Sequence, residues 1–442
     1  MNLLLGIRRV DHIQYFAPVV EELLKKEDRL YIAFDPNFLI ENSLPRTLDY
    51  VEENFNWNIS KGFLLEKPSY RRKKMKNILG CLIYLCDLSL EWKYLLRHAK
   101  RSKLNLFEYT CIICLKFFPA NIRVLISRFL VNHIRIKLSD VKTINHFVSQ
   151  LDLDLVYVSP GNMFNSLEDQ LVSDANNLSI PTAIQTLSWD NLNSKGTVEA
   201  VPTIYLAWNE MHQQLLMTRH CIPKRSIRVT GSVIQEKYAD VNFLYTRQQV
   251  CSSLGIPPHL KILIYLGSSL NVCTDESTFL QNLVEGEPDV LESIFIIIRP
   301  HPANFEIWED WVWPNTLVWP KNQPLDLRST EETESLLKAA IGAFGINTSG
   351  FLDALSCGTP IVAVHNDSAI FQESTTHFMN LIQNGLPIVH RLSEALSIFD
   401  TPSNAKFFHR LTEITLPFGD SATIRSATAL GSILQNTTED PK

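Results

Sequence analysis

"GINTSGFLDALSCGTP", residues 345–360, decides how this chain is read. An apolar run ends at Ile346, and small hydrogen-bonding residues crowd positions 347–350. Helical spacing of Phe351, Leu352, Ala354 and Leu355 follows at once. Gly358-Thr359-Pro360 closes the helix, and Pro360–Val364 is a new apolar strand. Strand, polar loop, helix and strand in that order are a unit of a parallel α/β sheet. The polar loop has two readings. In one, Thr348 or Ser349 is an N-cap that accepts from the orphan N–H groups of the first turn. In the other, Asn347, Thr348, Ser349 and Gly350 hold an anion, because those N–H groups and the helix dipole both favour negative charge.

The same rhythm extends in both directions. Upstream, Lys261–Leu266 is a strand that closes on Gly267-Ser268-Ser269, and Ile294–Ile298 is a strand that runs into Arg299-Pro300-His301-Pro302. Further upstream, Asn2–Leu5, Leu30–Phe34, Leu153–Val158, Pro181–Thr186, Thr203–Trp208 and Ser226–Val229 read as strands. Helical spacing over Asp11–Leu24, Leu167–Leu178 and Glu210–His220 alternates with them. A polar helix is expected over 235–254, and a last one from Ser421 to Leu434 follows Pro417-Phe418-Gly419-Asp420. The expected fold class is α/β, with two Rossmann-like domains, 1–235 and 236–420, facing a central cleft that would take a ligand. The 421–442 helix is expected to cross back to the first domain. Ligands of such sheets bind at the carboxyl ends of the strands, where three polar loops of the second domain lie.

The chain has 442 residues and a net charge of −6 that hides an asymmetry. Residues 67–138 carry 16 Lys or Arg against 3 acids, leaving 25 basic and 44 acidic residues elsewhere. This stretch lacks strand alternation and reads as a basic helical insertion in the first domain. So basic a block, rich in Leu, Ile and aromatics, suits an anionic partner or membrane surface. Arg71, Arg72, Lys73 and Lys74, beside Ile78–Tyr84, are its expected membrane- or acceptor-facing patch. A solvated helical decoration is the plainer alternative. Nucleic acid is not expected, because no binding module is visible and the rest of the chain is acidic.

The apolar runs Ile78–Leu90 and Tyr109–Phe118 are broken by Asp87 and Lys116, short of the roughly 18–20 residues that span a bilayer. Arg8 and Arg9 interrupt the N-terminus too early for a signal peptide. The chain therefore reads as cytoplasmic, with peripheral binding on the inner face of the membrane as an extension. Its eight cysteines are scattered. Cys111 and Cys114 have CxxC spacing among apolar neighbours and are expected to be buried and structural, with no metal site.

Arg299-Pro300-His301-Pro302, then Asn347-Thr348-Ser349-Gly350, Asp353-Ala354 and Gly358-Thr359-Pro360, resemble the donor domain of GT-B glycosyltransferases. The same pattern is similar to CDP-glycerol glycerophosphotransferases and UDP-N-acetylglucosamine 2-epimerases, which share that architecture. Gly419-Asp420-Ser421-Ala422 with Arg425 resembles the segment before their final helix, and Asn209-Glu210 with Val229-Thr230-Gly231-Ser232 the end of their first domain. His301-Pro302 and Thr348-Ser349 resemble the "HP" and "SS" motifs of transferases using CMP-linked acid sugars, with Thr at 348. Asp353 stands where the epimerases usually have Glu. The resemblance leaves a CMP-, CDP- or UDP-linked donor open.

What it implies is transfer of a sugar or polyol phosphate to a membrane-proximal surface-polysaccharide acceptor, glycan or lipid-linked. An epimerase-like isomerase and a non-catalytic glycan-binding module are the rivals. Gly267, Ser268, Arg299, His301, Asn347, Thr348, Ser349, Gly350 and Asp353 are then the nucleotide and phosphate residues. They would stabilise charge on the departing phosphate without a metal or cofactor, since no metal-binding carboxylate pair stands out in a suitable loop. A general base must come from the first domain. The candidates are Asp190, in Ser188-Trp189-Asp190-Asn191, and His12, after the first strand. Asp11, Trp189, Asn191 and Lys195 would line the acceptor, with the Trp189 indole stacking on a sugar. Asp190 as a turn residue and Asp11 as an N-cap are the plain alternatives.

Overall fold

The computed structural model describes all residues except 89–91, 140–143, 160–165, 237, 239–244, 271, 321–327, 370–375, 419–420 and 439–442. The chain divides into two compact units, Met1–Ile234 with Ser421–Lys442, and Gln235–Asp420. Gly419 and Asp420 lie outside the described residues, as does part of the helix expected over 235–254.

The first unit is built on β1 (Asn2–Ile7), β2 (Arg29–Phe34), β3 (Ile59–Leu64), β4 (Leu155–Val158), β5 (Thr182–Gln185), β6 (Ile204–Ala207) and β7 (Ile227–Val229). They form one parallel sheet in the order β3-β2-β1-β4-β5-β6-β7. A parallel sheet is covered on both faces, so its central strands are apolar throughout. In β1, Leu3 and Leu5 enter one core and Leu4 the other, as the two-residue strand period dictates. The helix Ala422–Thr438 adds Ala422, Ala427 and Leu430 to the first of these cores.

The second unit carries β8 (Lys261–Leu266), β9 (Ile294–Arg299), β10 (Thr316–Val318), β11 (Gly342–Gly345), β12 (Ile361–Val364) and β13 (Ile388–Val389). They are ordered β10-β9-β8-β11-β12-β13, again all parallel. In both sheets the strand order reverses once, between β1 and β4 and between β8 and β11. At such a reversal the flanking loops diverge and leave a crevice at the carboxyl ends of the strands.

Between β3 and β4 the chain forms the helices Tyr70–Leu82, Trp92–Arg101, Leu106–Cys114 and Ala120–Ser139. Leu79, Leu82, Leu85, Leu95, Ile112 and Val131 give this insertion its own apolar core. The expected apolar stretch Ile78–Tyr84 supplies that core and does not face outward. Cys111 and Cys114 depart from expectation: both are exposed, because Ile112 between them takes the inward position of its helix.

The single helix expected over Asp11–Leu24 is two elements, a 3-10 turn at Val10–Tyr15 and a helix at Ala17–Leu23. Pro18 lies in the first turn of the latter, where its missing N–H is tolerated. β3, β10 and β13 were not among the strands expected. They are sheet edges, half-buried or shorter than four residues, and carry little apolar pattern.

Candidate functional site

In the second unit the crevice between β8 and β11 is built by three backbone segments pressed together. A Cβ on Gly267 would lie 2.8 Å from the His301 nitrogen and 3.1 Å from the Arg299 oxygen, so glycine lets the β8 and β9 loops touch. The Gly267 N–H donates to the Arg299 carbonyl at 2.9 Å. Ser268 is fully buried, and its N–H donates to both carboxylate oxygens of Glu276, at 2.8 and 2.9 Å. Its hydroxyl accepts from the Asn347 N–H across the crevice, at 3.4 Å. Tyr265 also donates to Glu276, at 2.9 Å. Burial pushes the Glu276 carboxyl up to about 7, against these hydrogen bonds.

Two expectations change here. Gly267 and Ser268 do not present donors to a ligand, because their N–H groups are taken within the fold. They position the loop of Arg299 and His301. Glu276 is a site residue the sequence reading missed, for a lone Glu in a helix has no motif to mark it.

What stays open at the crevice lies on the β9 and β11 loops. Thr348 is half-buried and Ser349 exposed, whereas Asn347 is nearly buried. Ser349 begins the helix Gly350–Ser356 without a side-chain capping bond. Thr348 Oγ1 accepts from the Gly350 N–H at 3.2 Å. Half the capping reading therefore holds, through Thr348 and not Ser349. Arg299 and His301 are half-buried at the end of β9, and Arg299 Nε is buried with no hydrogen-bond partner among the described residues. Asp353 accepts from Gln235 Nε2 at 2.9 Å, and Gln235 is held in turn by Ser356.

In the first unit the reversal lies between β1 and β4. Arg8 and His12 follow β1, and Glu168 packs against it: a Cβ on Gly6 would lie 3.4 Å from Glu168 Cβ. Glu168 is fully buried, its Oε2 accepting from the Leu167 N–H at 2.9 Å and its Oε1 without a partner among the described residues. Burial pushes its carboxyl up to about 8, with Asp169 adding to the shift and Arg8 opposing it. Burial lowers His12 to about 4, so at neutral pH its ring is uncharged, and Nδ1 is buried with no hydrogen-bond partner among the described residues. Arg8 and Glu168 were not among the candidates. Arg8 adjoins the first strand and was legible in principle, whereas Glu168 reaches the site only through tertiary packing. Asp11 is not an N-cap: its carboxylate pairs with Arg9 Nε at 2.9 Å, and the 3-10 turn is capped by Arg9 without a side-chain bond.

The loop after β5 is locally closed. Asp190 precedes the short helix Asn191–Ser194 and accepts from Ser188 Oγ at 2.9 Å and Ser194 Oγ at 3.0 Å. Lys195 Nζ sits 3.2 Å from its Oδ2. Asn191 is buried and accepts from the Ser188 N–H. Trp189 is buried against Trp208 and His212, with centroids 6.2 and 5.2 Å away, so its indole is not an open platform for a sugar. Residues between strand and helix are buried whenever the next loop folds over them, and sequence spacing does not show this.

The basic insertion also turns much of its charge inward. Arg72 is fully buried and donates to Glu199 at 2.8 Å. Lys76 donates to Asp169 at 2.7 Å, and Arg135 to the His220 carbonyl at 2.7 Å. Of the expected patch, Arg71 and Lys73 are exposed, Lys74 pairs with Glu108 at 2.7 Å, and Arg72 is removed from it. A run of four cations on one helix turn points in all directions, so one of them must face the fold. No helix among the described residues is long and apolar enough to cross a membrane.

No family model matches the sequence, and no curated protein matches it. Solved structures do. UDP-GlcNAc 2-epimerase from Neisseria meningitidis, bound to UDP-GlcNAc, is similar at 13% identity over 99% of this chain and 100% of that one, with a TM-score of 0.54. MnaA from S. aureus, solved with UDP, is similar at 12% identity over 100% and 99%, with a TM-score of 0.56. CalG4, the calicheamicin glycosyltransferase, is similar at 11% identity over 98% of both chains, with a TM-score of 0.50. What this chain shares with all three is their architecture: it has the GT-B fold, made of two Rossmann-like units.

Proposed function

We propose that the chain transfers a sugar, or a polyol phosphate, from a nucleotide-activated donor to a membrane-proximal acceptor in surface-polysaccharide assembly, without a metal. One observation carries the reading. Arg299, His301, Thr348 and Ser349 flank the β8–β11 crevice of the second unit, on loops that meet the Gly267-Ser268 backbone held by Glu276. In such a transfer negative charge builds on the departing phosphate oxygen. Fixed N–H and hydroxyl donors with a guanidinium stabilise that charge most where they need not reorganise. The first unit supplies the base: His12, uncharged at neutral pH, takes the proton of the attacking acceptor hydroxyl.

A second reading is an isomerase acting on the nucleotide sugar itself. The similarity to UDP-GlcNAc 2-epimerases over nearly the whole chain favours it. The deciding experiment is a thermal-shift screen with CMP, CDP, UDP, GDP and dTDP on wild type and His301→Ala. A ligand of the folded state alone contributes about 2.7 kcal/mol at a hundredfold excess over Kd. A rise with one nucleotide, lost in the variant, supports the donor site, and no rise with any of them overturns it. Incubation with the matching nucleotide sugar then separates the readings: the isomerase makes a 2-epimer without acceptor, and the transferase does not.

A further inference from the structure

The helix Ala120–Ser139 is inverted relative to a helix on a water-facing surface. Its inward side carries Arg123, Ser127, Val131, Arg135 and Leu138, all buried. Arg123 donates to the carbonyls of Asp87 and Leu88, and Arg135 to that of His220. Its outward side carries Ile122, Leu125, Phe129 and Ile136, all exposed, with Leu125 and Phe129 at 71% and 68%. At 100° per residue these four fall within about 60° of one another, opposite the buried set. The preceding turns extend the apolar surface with Leu106 and Phe107, and with Phe117 at 80% exposure. Contiguous apolar surface of this kind on a folded protein marks a contact with something apolar.

The charge around it says which. Lys116 and Lys137 are exposed and directly adjoin Phe117 and Ile136 in sequence, and exposed Lys103 lies three residues before Leu106. The Lys74–Glu108 pair fastens the first turn of Tyr70–Leu82 to the helix Leu106–Cys114, and Arg71 and Lys73 on that turn are exposed. Among the described residues of 67–138 no acid is exposed: Asp87 and Glu108 are half-buried and engaged with Arg219 and Lys74. An apolar face whose exposed charged neighbours, among the described residues of 67–138, are cations matches the interface of an anionic bilayer, where rings and aliphatic chains enter the acyl boundary and lysines meet headgroups. A second copy is a poorer match. A two-fold interface sets the same patch against itself and would bring cationic rim against cationic rim.

We propose that the outer face of Leu106–Cys114, Leu115–Phe117 and Ala120–Ser139 docks the protein on an anionic lipid bilayer. This rests on the membrane-proximal acceptor of the proposed function, but it is read without donor or acceptor. The full chain is co-sedimented with phosphatidylcholine vesicles, and with vesicles of phosphatidylcholine and phosphatidylglycerol, in about 0.1 M salt. Strong binding to the anionic vesicles and at least tenfold weaker binding to the neutral ones is expected. Leu125→Ser with Phe129→Ser should reduce the anionic binding at least tenfold. Because both side chains are exposed, Tm and the nucleotide-induced shift should stay at wild-type values. Arg71→Glu with Lys73→Glu should weaken binding to anionic vesicles and lower its dependence on salt. Equal binding to both vesicles, or none, overturns the proposal, as does a dimer in light scattering that Leu125→Ser with Phe129→Ser dissociates. A retained nucleotide shift alongside absent vesicle binding would sink the docking face and leave the donor site standing.

Discussion

Arg72 Nε donates to Glu199 Oε2 at 2.8 Å, and both side chains are closed to solvent. Together with Lys76 on Asp169, this pair fixes the insertion to the rest of the first unit. Removing one partner leaves an uncompensated buried charge, which costs about 3–5 kcal/mol, whereas removing both costs much less. Arg72→Ala should therefore lower unfolding stability in denaturant by that amount, and Arg72→Met with Glu199→Leu should recover most of it. A double-variant loss equal to the sum of the Arg72→Met and Glu199→Leu single losses would show that the pair is not coupled.

The two carboxyl and imidazole candidates of the first unit should separate in kinetics. Asp190 is held by Ser188, Ser194 and Lys195, an arrangement that suits a loop brace. Asp190→Asn should reduce turnover less than tenfold, and His12→Ala by about 10²–10⁴-fold with the nucleotide-induced Tm shift unchanged. The reverse order of effects would move the base to Asp190.

At the second unit's crevice, Arg299→Ala and Ser349→Ala should each weaken nucleotide binding in calorimetry about tenfold or more, with little change in Tm. Gly267→Ala should act differently. Its new methyl meets backbone at 2.8 Å, so it should destabilise by about 1–3 kcal/mol and weaken binding through the displaced His301 loop. An unperturbed Gly267→Ala protein would show that the close approach is not needed.

Glu168 makes stability depend on pH. Its folded-state carboxyl is raised to about 8 from 4.5. Its contribution is thus full below pH 4.5 and is lost as pH rises through 8, with a slope of at most about 1.4 kcal/mol per pH unit. Glu168→Gln removes this loss. The variant should gain on wild type in Tm between pH 5 and 8 and hold its lead above that. Parallel Tm curves for the two proteins would exclude a raised carboxyl.

Transfer should survive excess EDTA at full rate, since fixed donors and Arg299 are proposed to carry the charge of the leaving phosphate. Loss of activity that Mg²⁺ or Mn²⁺ restores would refute the metal-independent reaction.

The legible part of this protein was its α/β architecture and the loops of the second unit. Parallel strands such as β1, β8 and β9 are apolar on both faces, so they stand out without any partner in view. β3 and β13 are edge strands, covered less, and their pattern is correspondingly faint. Arg299, His301, Thr348 and Ser349 could be named from sequence because a strand end followed by a polar turn fixes where a loop lies. Which groups of that loop are available could not, because Glu276, eight residues after Ser268, takes the Ser268 N–H.

Composition likewise established that residues 67–138 are basic and helical, and burial decided what the charge does. Arg72 and Arg123 sit in the same stretch as Arg71 and Lys116 and are indistinguishable from them by type. Only packing turned the first two toward carboxylate and carbonyl oxygens and left the last two exposed. A sequence fixes periodicity and charge, which are local. The direction a side chain faces depends on what lies across from it, and here that is residues distant in sequence, such as Asp87 for Arg123 and Glu199 for Arg72.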